Sequence, residues 1–173
     1  MRSQIHRKGD VLLDKDFVLR VYDNYAQDVF RFAYSYLKSY SDAQDVVQDL
    51  FLKLLKNKYS VTKGKEKSYI LKMTANLCRD YLKSGVNSKE TPFEVLPEPG
   101  EASADCFENT ELACALNNLP PEYRTVIHLR YYEELTVKET AKILNLTQSC
   151  VSMRLTRAKL MLKELLEENE NEE

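Results

Sequence analysis

The sequence predicts an all-α protein built as two small helical domains joined by a flexible acidic linker, the C-terminal domain containing a helix-turn-helix. Three observations carry that prediction. Long stretches run free of glycine and proline, of which the chain has only four and five. Apolar residues return with a 3.6-residue period in one segment after another. Pro92, Pro97 and Pro99 crowd into one acidic stretch between those segments. At 173 residues the chain suits one large or two small domains, and 43% hydrophobic residues are enough to fill a core.

The first helix is expected from about Asp16 to Lys38, where Val18, Val21, Tyr22, Tyr25, Val29, Ala33, Tyr36 and Leu37 keep the period. The second contains SDAQDVVQDLFLKLL, Ser41 to Leu55, and ends near Lys58. Ala43, Val46, Val47, Leu50, Phe51, Leu54 and Leu55 share one face, while Asp42, Asp45, Gln48 and Asp49 open the other. Acids in a first turn complement the helix dipole, and Ser41 with Gln44 reads as a capping box, so these acids have an ordinary structural explanation. The polar stretch YSVTKGKEK reads as a loop with Gly64 as its flexible point. A third helix, about Ser68 to Lys83, buries Ile70, Met73, Thr74, Leu77, Cys78 and Tyr81. Residues 1–84 therefore form the first domain and 85–108 the linker.

The second domain, 109–168, starts with the short helix NTELACALNNL. PPEYRTVIHLRYYEE follows, with Pro121 suited to a first helical position. Thr136 then caps TVKETAKIL, with Glu139 completing a capping box. Asn145 stands where a turn needs a residue tolerant of positive φ, and Thr147 starts the last helix. An acidic tail, 169–173, closes the chain.

The net charge of −2 conceals a pattern. Val61–Lys83 has six Lys/Arg against two acids, and Thr136–Lys163 has six against one. Between them, Ser84–Asn118 has seven acids and one lysine. Two basic patches separated by acid suggest two places that meet a polyanion. Four cysteines without CxxC spacing and two histidines make a metal site unexpected, and no cofactor is implied. The absence of a long apolar stretch argues against insertion in a membrane, and the N-terminus lacks a signal peptide's apolar region, so a cytoplasmic location is expected. No nucleophile–base pair or phosphate loop suggests an enzyme.

In the second basic patch, Ala141 and Leu144 precede a short turn, Leu146 lies in it, and Val151, Leu155 and Ala158 follow: a helix-turn-helix pattern. Ser149, Ser152, Met153, Thr156 and Arg157 avoid the apolar stripe, and such a face can enter a DNA major groove. The plainer alternative is a helical hairpin with a basic surface. In the first patch, Lys72, Asn76, Arg79 and Lys83 line one face of the third helix, Tyr69 sits at its start, and Lys63, Lys65 and Lys67 lie in the preceding loop. An aromatic beside a basic stripe with a base-reading amide suits unstacked nucleic acid. A solubilising lysine face is an equally natural reading of that stretch alone.

Acidic-faced helix, basic helix, linker and helix-turn-helix occur in one order, and that order resembles bacterial sigma factors of the extracytoplasmic-function type, in the sigma-70 family. YSDAQDVVQDLFLKLL looks like the family's polymerase-docking helix, and SYILKMTANLCRDYLKS like its helix for the minus-10 promoter element. The segment from Leu112 to Leu166 looks like its minus-35 domain. The resemblance implies core RNA polymerase and promoter DNA as partners. It implies polymerase contacts at Asp45, Gln48 and Asp49, with Asp42 beside them. Asn76 matches an asparagine that engages a flipped base, the Lys63–Lys67 loop matches the loop that holds it, and Ser152, Met153, Thr156 and Arg157 match the minus-35 readers. Tyr69 stands where the family often has tryptophan. The resemblance also implies an inhibitory anti-sigma partner, a candidate membrane protein. The competing reading is a stand-alone helix-turn-helix regulator that never meets polymerase.

Overall fold

Lys38 ends the first helix, because its backbone turns left-handed with φ 58°. In this computed structural model, which describes residues 10–12, 15–56, 60–86 and 111–170, helix α1 spans Lys15–Leu37 and α2 spans Tyr40–Lys56. The turn at Lys38 places Ser39, rather than the expected Ser41, at the cap. Ser39 Oγ accepts from the Asp42 amide at 3.3 Å, and its carbonyl accepts from the Ala43 amide. Helix α3 spans Glu66–Val86, longer at both ends than its apolar period indicates.

The all-α expectation holds with one small addition. Strand β1, Asp10–Leu12, pairs antiparallel with β2, Ser60–Thr62, so that Val11 stands opposite Val61. The stretch expected as a plain polar loop therefore carries a short strand. Burying Val61 in the first domain's core explains why it is held. The expected linker 85–108 lies outside the described residues beyond Val86, as does the end of the acidic tail beyond Glu170.

The second domain comprises α4 (Glu111–Asn118), α5 (Pro121–Ile127), a π-helical turn (His128–Tyr132), α6 (Val137–Leu144) and α7 (Gln148–Glu170). Local chemistry places most of these boundaries. Pro121 opens α5. Thr136 and Glu139 form the expected capping box at α6, Asn145 ends that helix at φ 56°, and Thr147 Oγ1 accepts from the Cys150 amide at the start of α7. The π turn interrupts what the sequence indicates as one continuous helix.

The two domains pack together. Val18, Val29, Val46, Leu50 and Leu54 centre the first core. The second core holds Leu119, Leu129, Ile143 and Val151, and it also takes in Phe32 from α1 and Leu71 and Ala75 from α3. Phe32, Leu71 and Ala75 are almost completely buried. Helix α3 thus has two apolar faces, one for each domain, which explains why burial extends beyond the single stripe its periodicity shows.

Candidate docking and nucleic-acid surfaces

On α2 the apolar stripe turns inward and presents Asp45, Gln48 and Asp49 to solvent, with Asp42 half-buried at the edge. The Tyr81 hydroxyl, reaching from α3, donates to Asp42 Oδ1 at 3.1 Å, and Asp45 Oδ2 lies 3.4 Å from it. Burial and then the two neighbouring carboxylates push the Tyr81 phenol up to about 12. Leu55, expected in the core, is 49% exposed, and Leu52 is 48% exposed. Leu52 follows Gln48 and Asp49 at helical spacing, so the acidic face continues as an apolar one. The short apolar run around Leu55 drew it toward the core face, whereas Leu52 lies off that face by spacing.

The face of α3 is divided. Lys63, Lys65, Lys72 and Lys83 are exposed, and Tyr69 is half-buried against the first core. Lys67 and Arg79 bond residues of the second domain, and Asn76 is bonded to Arg79. Arg79 Nη1 donates to Asn76 Oδ1 at 3.0 Å, and its Nη2 donates to the carbonyl of Leu144, the last residue of α6, at 3.2 Å. Lys72 lines an open groove with Lys138, Lys142 and the helix-turn-helix turn. The basic stripe therefore lies together on one helix, as expected, but the second domain covers its middle.

That cover includes a polar cluster absent from the sequence reading. Lys67 Nζ lies 2.7 Å from Glu133 Oε2 and 3.4 Å from Asp28 Oδ2. His128 Nε2 lies 3.1 Å from Glu133 Oε1. The π turn brings His128 and Glu133 together, and the imidazole stacks on Tyr132 and tilts against Phe32. Burial pushes the Glu133 carboxyl upward, but His128 and Lys67 outweigh it and hold the group below its ordinary range. Burial likewise lowers Lys67, but Glu133 and Asp28 outweigh it and raise the ammonium.

A second tie crosses the domains at Arg124, a buried residue of α5. Its Nε donates to the Ser35 carbonyl in the last turn of α1 at 2.6 Å, and Nη1 donates to the Asn117 and Leu119 carbonyls. Burial lowers the Arg124 guanidinium to about 10. The bond to Ser35 joins residues distant in sequence, so local period and motif gave no sign of it.

The helix-turn-helix presents the expected face. Ser149, Ser152, Met153, Thr156 and Arg157 are all exposed on α7, opposite the buried Val151, Leu155 and Ala158. The small Ala141 sits at the helix crossing, and its carbonyl accepts from the Leu146 amide at 2.9 Å. Among the described residues no group of His, Cys, Asp and Glu is placed to hold a metal ion, and no helix is long and apolar enough to cross a membrane. Burial pushes the Cys78 thiol up to about 12, the opposite of an activated nucleophile.

Comparison with known proteins places both halves. Sigma-70 region 2 matches residues 21–86, and sigma-70 region 4 matches residues 109–162. The RNA polymerase sigma factor SigV of Bacillus subtilis is 32% identical over 148 residues, 84% of this chain and 89% of the relative. The ECF RNA polymerase sigma factor SigM of the same organism is 27% identical, across 88% of this chain and 97% of the relative. Among solved structures, the sigma factor RpoE of Bartonella quintana, crystallised with the anti-sigma factor NepR, shares the fold with a TM-score of 0.68. It covers 88% of this chain and 98% of its own at 20% identity.

Proposed function

The chain belongs to the sigma-70 family, and from that membership we propose a division of labour among its surfaces. As a promoter-specificity factor it binds core RNA polymerase and directs it to promoters. Asp45, Gln48 and Asp49, with Asp42 beside them, dock on a basic surface of the polymerase, and Leu52 and Leu55 add apolar contact. Lys63, Lys65, Lys67, Tyr69, Lys72, Asn76, Arg79 and Lys83 hold the melted minus-10 strand. Ser149, Ser152, Met153, Thr156 and Arg157 read the minus-35 element as duplex. The protein works by binding, in the cytoplasm, with no bond chemistry of its own.

The observation that carries this reading is the pair of exposed faces, acidic on α2 and polar-basic on α7, within segments matched in order to regions 2 and 4. A regulator acting without polymerase would leave the acid–leucine face of α2 without an occupant. An anti-sigma partner covers the docking face until a signal removes it. The solved RpoE structure, itself an anti-sigma complex, supports that partner class. Charge reversal at Asp45 and Asp49 should abolish co-purification with core polymerase while the circular dichroism melt stays unchanged, since both side chains lie off the core. Wild-type binding by the doubly reversed protein would remove this face from the docking site.

A further inference from the structure

Between α3 and the helix-turn-helix runs an open groove of about 520 Å3. Lys72 reaches it from the first domain, and Lys138 and Lys142 stand one turn apart on α6 in the second. All three side chains are exposed, and among the described residues none of them forms an ion pair. No acid lines the groove. Glu139, beside Lys138 in sequence, is engaged with Thr136 in the capping box. Three ammonium groups thus surround one concavity whose walls hold no counter-charge.

The geometry points to a small-ligand site: the groove takes a triphosphate, free or on a nucleotide, clamped between Lys72 of the first domain and Lys138 and Lys142 of the second. A chain of phosphates carries several negative charges in a row and relieves the mutual repulsion of the three cations. Lysine suits it, because an ammonium binds phosphate as a point charge and needs no fixed fork geometry. The volume falls within the range of about 300–1,000 Å3 usual for small-molecule sites. Ala141 and Leu146 give the groove an apolar part on which a nucleoside can rest. Duplex DNA is met by protruding elements that enter its grooves, whereas this site is concave, and the exposed face of α7 from Ser149 to Arg157 is not in its lining. Neither the groove nor its charge depends on which surfaces meet polymerase or DNA.

A ligand held from both sides stabilises the packing of the two domains in proportion to its occupancy. The level of the triphosphate would then set how firmly α3 and α6 are joined.

The test follows thermal unfolding and equilibrium binding of the full chain in magnesium-free buffer, with ATP, GTP and inorganic tripolyphosphate as probes. A saturating probe should raise the Tm by about 5 °C. Lys138→Ala with Lys142→Ala should weaken binding by roughly tenfold or more, and so should Lys72→Ala, although it lies on the other domain. Lys159→Ala with Lys163→Ala removes the same charge outside the groove and should change affinity by less than about twofold. The unliganded variants should melt as the parent does, since every substituted side chain is exposed. Tighter binding of the nucleotides than of tripolyphosphate assigns the site to a nucleotide, and equal binding assigns it to free polyphosphate. An unchanged Tm with all three probes overturns the site. Equal weakening in the Lys159 and Lys163 pair overturns it as well, because general charge would then account for the binding. Full affinity in Lys72→Ala beside a loss in the α6 pair overturns the clamp between the domains.

Discussion

Phe32→Ala should part the two domains while leaving each folded. Phe32 comes from α1, yet it is fully buried among residues of the second core, with its ring 5.7 Å from His128. Truncating a buried phenylalanine costs about 3–5 kcal/mol. Phe32 also packs on Tyr36 of its own helix, so part of that loss falls within the first domain. If about half falls on the junction, ~2 kcal/mol, the ratio of closed to open molecules drops about 30-fold. Small-angle scattering should show a larger radius of gyration, and denaturant unfolding followed by circular dichroism should change from one transition to two. A variant that unfolds in a single shifted transition with an unchanged radius would refute the shared-core reasoning, because the lost contact would then lie within one cooperative unit.

Closure should also depend on pH at both extremes. Glu133 is held below the ordinary carboxylate range, so its contribution is present above that range and is lost as pH falls through the depressed value. Lys67 is raised, so its contribution is present below the ordinary lysine value and is lost as pH climbs through the higher one. An inter-domain distance measured across pH should lengthen at both the acid and the alkaline end, with Glu133→Gln removing the acid limb; a wild-type acid limb retained in that variant would contradict the assignment. Arg157→Ala should cost about 1–3 kcal/mol in binding minus-35 duplex and relax preference at one base pair, whereas an equal loss on every sequence would mark it as a phosphate contact. Leu52→Ser with Leu55→Ser should weaken polymerase binding while leaving stability within about 0.5 kcal/mol, because both side chains are already half in water; unchanged binding would confine docking to the acids.

Local features were legible in the sequence because local chemistry sets them. Pro121, Thr136 with Glu139, Asn145 and Thr147 act over three or four residues, and each does in the structure what its type and spacing indicate. The helix-turn-helix face emerged for the same reason, since the stripe of Val151, Leu155 and Ala158 fixes what is left outside. The cap at Ser39 was missed because it depends on the backbone of Lys38, whose left-handed turn no propensity indicates. Leu71 and Ala75 were missed because a periodic reading assigns one stripe to a helix, and α3 has two. Phe32, Arg124 and the His128–Glu133–Lys67 cluster were out of reach for a deeper reason. The contacts that define them, Arg124 to Ser35 and Lys67 to Glu133, join residues tens of positions apart, on elements whose packing only the folded chain specifies.

The Tyr81 hydroxyl ties α3 to the acidic face of α2. It sits two residues after Arg79 on the helix proposed to hold the strand, and it grips Asp42 and Asp45 on the helix proposed to meet polymerase. A polymerase surface that draws those carboxylates away changes how the end of α3 is anchored. A strand that shifts α3 changes what those carboxylates can offer. Linkage requires the two effects to be equal, so whatever factor polymerase exerts on strand affinity through this phenol, the strand exerts on polymerase affinity in return. Loading and melting then strengthen or weaken each other as one event, through a side chain that need touch neither partner.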